Sequence, residues 1–146
     1  MAGFLSTLDI ACIVSSPYRR AVQTIEPFAV QRRLPIELDA RLIEHRLSGV
    51  DLPDWREQLR SSFSDLDRCL EGGESSRAAR ERALAAVEDV AATGQRTLLV
   101  THGKLLALLL GVFDATVGYE VWEKLSNPDV YSINTRDRSF RRIWTT

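Results

Sequence analysis

The sequence predicts an α/β sandwich with a largely parallel sheet, because short buried strands alternate along it with amphipathic helices. Two apolar runs rich in β-branched residues, 10–14 and 97–101, have the composition of strands that are buried on both faces. Each is followed by a segment with helical spacing of apolar residues. The 146 residues, 45% of them hydrophobic, suffice for one domain, which we expect to span 1–146.

The first half of the chain predicts a strand, a helix and a short extended piece. The strand 10–14 stops at Ser15-Ser16-Pro17, where a helix should open, because serine is a preferred N-cap and proline is tolerated at the first helical position. Its predicted inner face carries Ala21, Ile25, Phe28 and Ala29. An extended piece over 34–41 then leads into a loop that contains Glu44, Gly49 and Pro53.

The second half predicts two amphipathic helices, a strand, a buried helix and a hairpin. The first helix follows Asp54 as N-cap, and the second runs from Glu74-Ser75-Ser76 to a C-cap at Gly94. After the strand 97–101, the segment 104–110 is apolar almost all round, so we expect a buried helix. A short helix over 119–125 and an edge hairpin formed by 130–134 and 140–144 complete the chain. The expected buried residues of the two amphipathic helices are Trp55, Leu59, Phe63 and Leu66, then Ala79, Ala83, Ala86, Val87 and Val90.

Composition and charge exclude several classes of protein. Nineteen basic and twenty acidic residues leave a net charge of −1, which gives no reason to expect nucleic acid or an anionic membrane as partner. No apolar run reaches the roughly 18 residues of a spanning helix, and no signal-peptide pattern is visible, so we expect a cytoplasmic protein. Cys12 and Cys69 lack metal-ligand spacing, which argues for free thiols and against zinc.

Two predicted turns define a candidate site. In open parallel sheets, ligands bind beyond the carboxyl ends of the strands. Val14 runs into Ser15-Ser16-Pro17 at one such end, and Val100-Thr101 runs into His102-Gly103 at the other. We therefore expect these two turns to lie side by side and to hold a small ligand.

The residues at the first turn suit an anion. A helix N-terminus presents unpaired N–H groups and partial positive charge, and Arg19 and Arg20 stand one turn inside the helix. The planar arginine fork grips phosphate oxygens in a bidentate way. The alternative is that both arginines belong to a solvated helix face.

The second turn and the loop supply the other candidates. At the end of a strand, His102 can act as phosphate ligand, acid or base, or it can be a hydrogen-bonded core histidine. Gly103 would allow a ligand or another backbone to approach closely. Glu44 can act as a general acid if burial or a neighbouring anion raises its proton affinity; otherwise it is a solvated loop residue.

Cys12 raises the possibility of a cysteine-dependent phosphatase, in which an arginine completes a short loop after the thiolate. The spacing does not fit that class, because Tyr18 occupies the required position and Arg19 lies one residue too far along. Cys12 also sits within the strand pattern, where a small hydrophobic residue would fit. We interpret it as a core thiol.

Four motifs together resemble the histidine phosphatase superfamily, also described as phosphoglycerate-mutase-like. They occur in the family's order over roughly residues 4 to 144, and the short insertions between them resemble the small bacterial phosphatases rather than the true mutases. The motifs are Ser15-Ser16-Pro17-Tyr18-Arg19-Arg20-Ala21-Val22-Gln23-Thr24, Leu42-Ile43-Glu44 with Gly49, Gly73-Glu74-Ser75 with Arg82, and Val100-Thr101-His102-Gly103.

The resemblance implies a three-layer α/β/α fold and hydrolysis of phosphomonoesters through a phosphohistidine. It also implies the role of each matching residue: Arg20 would clamp the phosphoryl oxygens, His102 would stabilise the charge that builds on them, and Glu44 would protonate the leaving oxygen. Gly103 would join Arg20 and His102 in binding phosphate. The resemblance also implies that no metal and no other cofactor is needed. The three roles suit phosphoryl transfer, which depends mainly on positioning and on donors aimed at negative charge.

The sequence departs from the family in one essential respect. The family's nucleophilic histidine lies in an Arg-His-Gly motif at the end of its first strand, and that motif is absent here; the two histidines are His45 and His102. Only nine residues precede the segment 10–14, so we expect either a truncated chain whose intact form has the nucleophile or a natural short form. We favour truncation and expect little or no turnover from this chain.

Two further expectations follow from that departure. The family's first strand, which ends in Arg-His-Gly, lies centrally in its sheet, so its loss would leave backbone groups of the neighbouring strands unpaired. We expect either that the sheet closes over the gap or that a second copy of the chain covers it, most simply in a two-fold dimer. The alternative to an enzyme is a pseudoenzyme that binds inorganic phosphate or a phosphorylated metabolite without turnover. The sequence does not identify the substrate.

Overall fold

Three parallel strands form the central sheet of the computed structural model, which describes residues 1–144. Strand β1 (Cys12–Ser15) lies in the middle, between β2 (Ile36–Leu38) and β3 (Thr97–Val100). Ile13 is opposite Ile36 on one side and opposite Leu98 on the other. The predicted α/β class with a parallel sheet is confirmed, and β1 starts and ends slightly later than the predicted strand.

Six α-helices, a 3₁₀ turn and a hairpin make up the other elements of residues 1–144. The helices are α1 (Ala2–Leu5), α2 (Arg19–Arg32), α3 (Trp55–Ser64), α4 (Ser76–Ala92), α5 (Gly103–Leu110) and α6 (Tyr119–Glu123). The 3₁₀ turn is Ala40–Leu42, and the hairpin consists of β4 (Tyr131–Asn134) and β5 (Ser139–Arg142).

Helices cover both faces of the sheet, as the three-layer expectation requires. On one face, Leu98 and Val100 of β3 pack against a core that includes Ile25 and Phe28 of α2. On the other face, Leu99 packs against the apolar sides of α4 and α5. Adjacent residues of β3 therefore point into different cores, as the alternation of side chains along a strand dictates.

Helix α2 has the predicted buried face but begins later than predicted. Ala21, Ile25, Phe28 and Ala29 are its buried residues, and all four were expected from their spacing. The N-cap is Tyr18, whose backbone is extended at φ −62° and ψ 129°, rather than Ser16. The residues between the end of β1 and the helix thus form a short extended turn.

Helix α3 shows where the expected burial is wrong. Trp55 is 47% exposed, whereas Leu59 on the same helix is buried. The helix ends at Ser64, so Leu66 packs on the core from beyond it. Asp54 stands at the N-cap position as predicted, but its carboxylate accepts from the Gln58 side chain and makes no cap bond.

Helices α4 and α5 follow the sequence closely. The Ser75 hydroxyl caps α4 by accepting the Ala78 N–H at 3.1 Å. Four of the five residues expected in the buried stripe of α4 are buried, and the fifth, Val90, is partly buried against the core. Helix α5 is buried over most of its circumference, including the charged residue Lys104, which is 3% exposed.

The C-terminal hairpin is a separate two-stranded sheet, so its predicted place at an edge of the main sheet is wrong. Strand β4 pairs with β5 alone, in antiparallel register with Ile133 opposite Phe140. Ile133 nevertheless packs against the same core cluster as Leu99 of β3. Within residues 1–144, the outer edge of β3 therefore has no hydrogen-bonded neighbour.

Candidate active site

The two turns that follow β1 and β3 are joined by a side-chain hydrogen bond. The Nε2 atom of His102 lies 2.8 Å from the Ser16 hydroxyl, and both residues are buried. The Ser16 N–H also donates to the Val100 carbonyl at 2.8 Å, which continues the pairing of β1 and β3 by one residue. The structure thus brings together the two strand ends that the sequence selected.

The ring of Tyr18 contacts both basic candidates of the site. Its ring centroid is 5.1 Å from that of His102, with the ring planes inclined at 60°. The Arg20 guanidinium carbon lies 4.9 Å from the same centroid, a cation–π distance. Arg20 and His102 are therefore neighbours of one aromatic ring, and the Arg20 side chain is exposed to solvent.

Burial, together with the positive charges of Arg20 and Arg82, lowers the pKa of His102 from 6.5 to about 4. The imidazole is therefore neutral at pH 7 while the site holds no anion. A serine hydroxyl can donate or accept, so the contact with Ser16 is compatible with either tautomer of His102.

Glu44 is placed as a cap on helix α5. Its Oε2 accepts the Lys104 N–H at 3.2 Å, and its Oε1 accepts the N–H groups of Leu105 at 3.0 Å and His45 at 2.8 Å. These donors stabilise the negative charge of the carboxylate at the positive end of the helix. The Glu44 carboxylate thus lies in the first turn of the helix whose N-cap is His102.

Gly103 is exposed at the start of α5. A Cβ at this position would lie 3.6 Å from the indole nitrogen of Trp122, which is an ordinary van der Waals contact. The neighbouring protein atoms therefore do not require glycine here, and only an approaching ligand would make its small size necessary.

Arg82 organises the loop that carries Glu44. Its Nη1 donates to the carbonyls of Arg41 and Ile43 at 2.7 and 2.8 Å, and its Nη2 donates to the Glu44 carbonyl at 3.4 Å. The Glu74 carboxylate completes the environment of the guanidinium by an ion pair. In the sequence, Arg82 was identified only as part of a motif; the carbonyls that it contacts are 38 to 41 residues away.

His45 belongs to this supporting network. Its Nε2 lies 2.9 Å from the Glu74 carbonyl, and because a carbonyl only accepts, Nε2 carries the proton. Its Nδ1 is enclosed and lacks a hydrogen-bond partner among the described residues. Burial and the Lys104 charge lower the pKa of His45 to about 4, so this ring is neutral at pH 7, and neither nitrogen is open to a ligand because Nε2 is bonded and Nδ1 is enclosed.

Lys104 is a buried cation that apolar periodicity did not reveal. Its ammonium group donates to the Ser62 hydroxyl at 2.5 Å and lies 5.1 Å from the centre of the Phe63 ring. Burial lowers the pKa of Lys104 from 10.5 to about 8, although the charges of Glu44 and Glu74 act in the opposite direction. Lys104 thereby connects α3 to the helix that starts at the candidate site.

Cys12 lies away from this site. It is the first residue of β1, and the site lies beyond the last, so the length of the strand separates them. The thiol is half-buried and donates to the Gln95 side chain at 2.7 Å, so it is free but not fully in the core. No arginine loop surrounds it, which argues against cysteine-dependent catalysis.

A separate open pocket of about 560 Å³ lies next to the loop that follows Glu44, and residues between 45 and 55 line it. Among residues 1–144, no three or more acidic, histidine or cysteine side chains lie together as a metal site. The same residues include no helix with the length and hydropathy needed to span a bilayer.

The comparison with protein families decides the identity of the fold. The model of the histidine phosphatase superfamily (branch 1) matches residues 1–143. The chain belongs to this superfamily. The resemblance found in the sequence is confirmed.

Solved structures of phosphatases share this fold. A structure described as mycobacterial hydrolase 1 has a TM-score of 0.67 and 26% identity, over 86% of this chain and 66% of its own. Mycobacterial glucosyl-3-phosphoglycerate phosphatase has a TM-score of 0.66 and 25% identity, over 86% of this chain and 66% of its own. That phosphatase has also been solved with inorganic phosphate and with VO3.

A third neighbour, YhfR of Bacillus stearothermophilus, shows the histidine phosphatase fold at 24% identity, with a TM-score of 0.65 over 97% of this chain and 76% of its own. This chain spans just under two thirds of the length of both mycobacterial proteins named above. The comparison with curated protein sequences gives no significant match.

Proposed function

We propose that this chain forms the phosphoryl-binding part of a histidine phosphatase site, and that its ligand is inorganic phosphate or the phosphoryl group of a small phosphomonoester. The observation that carries the proposal is the placement of Arg20 and His102 against one ring at the ends of β1 and β3. Arg20 clamps the phosphoryl oxygens, His102 stabilises their charge, and Gly103 leaves room for them.

The electrostatics of the site support an anionic ligand. The Arg20 side chain makes no ion pair among the described residues, so its charge is available. At the start of α2, no side chain caps the helix, and its first N–H groups point to the same turn. A bound dianion would favour the imidazolium form of His102, which then donates an additional charged hydrogen bond.

The comparisons support the same ligand class. Two structures of the mycobacterial phosphatase hold inorganic phosphate and VO3, which are both oxyanions. The substrate of that enzyme, glucosyl-3-phosphoglycerate, is a phosphorylated sugar derivative, and we propose a phosphorylated metabolite of similar size for this chain.

For catalysis, we propose that this chain lacks the nucleophile. The 146 residues hold two histidines and no Arg-His-Gly motif. His45 is enclosed with its Nε2 bonded to a carbonyl, and the Nε2 of His102 is bonded to Ser16. A phosphohistidine would require an additional histidine facing Arg20, and a chain that carried one would turn over substrate.

Glu44 is the proposed acid for the leaving oxygen in such a catalytic form. Its carboxylate now accepts three N–H groups, so protonation would require these bonds to be released. Substitution by Gln separates the two roles of Glu44: the amide oxygen can still accept an N–H and keep part of the cap, but the amide cannot supply a proton.

The experiment combines turnover with binding. Hydrolysis of p-nitrophenyl phosphate and calorimetric titration with inorganic phosphate are measured for the parent chain and for His102→Ala. We expect phosphate binding without turnover, and weaker binding by the variant. If the parent chain hydrolysed the substrate and His102→Ala abolished that activity, the proposal that this chain is inactive would be refuted. If the parent chain bound no phosphate, the proposed site would be refuted. A pseudoenzyme that works through phosphate binding is the second candidate, and phosphate binding without turnover is the result that it also predicts.

We further propose that a second copy covers the outer edge of β3 in a two-fold dimer. The carbonyls of Arg96 and Val100 accept hydrogen bonds from the β1 side. Successive residues of a strand direct their backbone groups to opposite sides, so those of Thr97 and Leu99 point away from β1. Among residues 1–144, no strand pairs with them there. Light scattering after size exclusion should show a dimer. A cooperatively melting monomer at every concentration would contradict this.

A further inference from the structure

Tyr18 is an exposed aromatic residue in the middle of the proposed phosphate site. Its side chain is 39% exposed, so core packing does not account for its position. It is the N-cap of α2, and its N–H donates to the Ser16 hydroxyl at 3.3 Å. The same hydroxyl contacts His102, so Ser16 fixes the backbone of Tyr18 and one edge of the imidazole together.

The ring of Tyr18 contacts both groups that would bind the anion. The imidazole of His102 lies on one side with a centroid distance of 5.1 Å, and the guanidinium of Arg20 lies 4.9 Å from the ring centre. A tilted aromatic pair and a cation over an aromatic face are both favourable geometries. One side chain therefore restricts two others.

Arg20 depends on this contact for its orientation. Within residues 1–144, its guanidinium makes no ion pair, and the hydrogen bond from the Thr24 hydroxyl goes to the Arg20 backbone carbonyl, so it does not hold the side chain. A free arginine side chain loses rotamer entropy when it is fixed. Contact with the Tyr18 ring restricts that freedom before a ligand arrives.

We propose that Tyr18 is a positioning residue that holds the guanidinium of Arg20 and the imidazole of His102 in their binding orientation and thereby sets the affinity for a phosphoryl group. This inference rests on the proposed function. Its chemical basis is the aromatic face of Tyr18, so phenylalanine should replace tyrosine at this position and leucine should not.

The test compares Tyr18→Phe with Tyr18→Leu by calorimetric titration with inorganic phosphate. We expect Tyr18→Leu to bind phosphate about fivefold more weakly, in line with an exposed cation–π contact of about 1 kcal/mol, and Tyr18→Phe to bind within twofold of the parent. Because Tyr18 is exposed and belongs to none of the hydrophobic core clusters, both variants should keep the parent melting temperature within a few degrees.

A second readout reports on positioning without a ligand. The titration of the His102 ring is followed by NMR in phosphate-free buffer. Loss of the covering ring in Tyr18→Leu should hydrate the imidazole and raise the pKa of His102, whereas Tyr18→Phe should leave it unchanged, because burial is the main cause of the lowered value. A change in stability alone would not produce this shift.

Three results would overturn the inference. Parent-like phosphate affinity with an unchanged His102 titration in Tyr18→Leu would show that the ring positions nothing. Equal weakening in Tyr18→Phe and Tyr18→Leu would assign the effect to the phenol hydroxyl. If the parent chain itself bound no phosphate, the proposed function would fail. The positioning role would then be judged by the His102 titration alone, and an unchanged titration in Tyr18→Leu would refute it.

Discussion

The imidazole of His102 and the hydroxyl of Ser16 are 2.8 Å apart, although 86 positions separate the two residues in the chain. This contact brings the turn after β1 against the turn after β3. It also places His102 beside the N-terminus of α2, where Arg20 lies. The candidate site therefore depends on the parallel pairing of β1 and β3, and a change that separates those strands would separate Arg20 from His102.

Replacement of Arg20 by Ala should weaken phosphate binding about 10- to 100-fold, because a charge-assisted bidentate contact contributes about 1.5–3 kcal/mol. Arg19→Ala is the matched control, since Arg19 is an adjacent exposed arginine with no cation–π contact to Tyr18 among the described residues. Titration calorimetry at low ionic strength measures both variants. Equal losses in the two would mean that only general positive charge attracts the anion.

Lys104→Met should show that the buried ammonium destabilises the fold at neutral pH. The pKa of Lys104 falls from 10.5 in the unfolded chain to about 8 in the fold, so the unfolded chain binds more protons between these values. Stability of the parent should therefore rise with pH across this window, by up to about 3 kcal/mol. Ser62 keeps its bond to the Leu59 carbonyl in the variant.

Urea unfolding of the parent and Lys104→Met between pH 7 and 10 measures this effect. The variant should be the more stable protein at pH 7, and its advantage should shrink as the pH rises past 8. A constant difference between the two proteins across that range would show that Lys104 does not lose a proton there.

Acid should destabilise the fold through its two buried histidines. The pKa values of His45 and His102 are both about 4 in the fold, against 6.5 for an exposed histidine. Between pH 6.5 and 4 the unfolded chain binds more protons, so stability should fall as pH falls, by up to about 3 kcal/mol per histidine. In His45→Gln, the free energy of unfolding, measured with urea at pH 7 and pH 5, should fall less between the two pH values than it does in the parent. An equal fall in both proteins would show that His45 does not contribute to the acid destabilisation.

Gly73→Ala should destabilise the loop that follows Glu44. A Cβ on Gly73 would clash with the Leu47 carbonyl oxygen, and backbone atoms cannot move aside as a flexible side chain can. The expected loss is about 2–3 kcal/mol, as for overpacking elsewhere. Gly3→Ala, with no atom within 4 Å of the added carbon, is the control and should be near neutral in thermal melting. Equal melting temperatures would contradict the contact.

Much of the fold follows from local pattern. The apolar spacing of α2 and α4 predicted their buried residues, because a helix that covers a sheet must present one apolar face to it. The same reasoning failed at Trp55, because this residue starts α3 at the rim of an open pocket, where periodicity does not distinguish a core position from a solvated one. The place of the hairpin depends on contacts distant in sequence.

The candidate site was predictable in its residue types but not in its supporting contacts. Arg20 and His102 follow strand ends, which is a local signal. The cap that Glu44 makes on α5, the bonds from Arg82 to distant carbonyls and the burial of Lys104 each require the tertiary structure, because each joins segments far apart in the chain. Nothing in the sequence indicated that Tyr18 contacts Arg20 and His102; it showed only that Tyr18 stands where a cysteine-dependent phosphatase would need an arginine.

The most direct test of the site is an NMR titration of the two histidine rings with inorganic phosphate at pH 7. Since His45 and His102 are the two histidines of the chain, His45 serves as an internal reference. We expect phosphate to shift the His102 ring resonances and raise the pKa of His102, to leave His45 unchanged, and to lose both effects in Arg20→Ala. Equal responses of both rings, or a His102 response that survives loss of the Arg20 guanidinium unchanged, would contradict a site shared by Arg20 and His102.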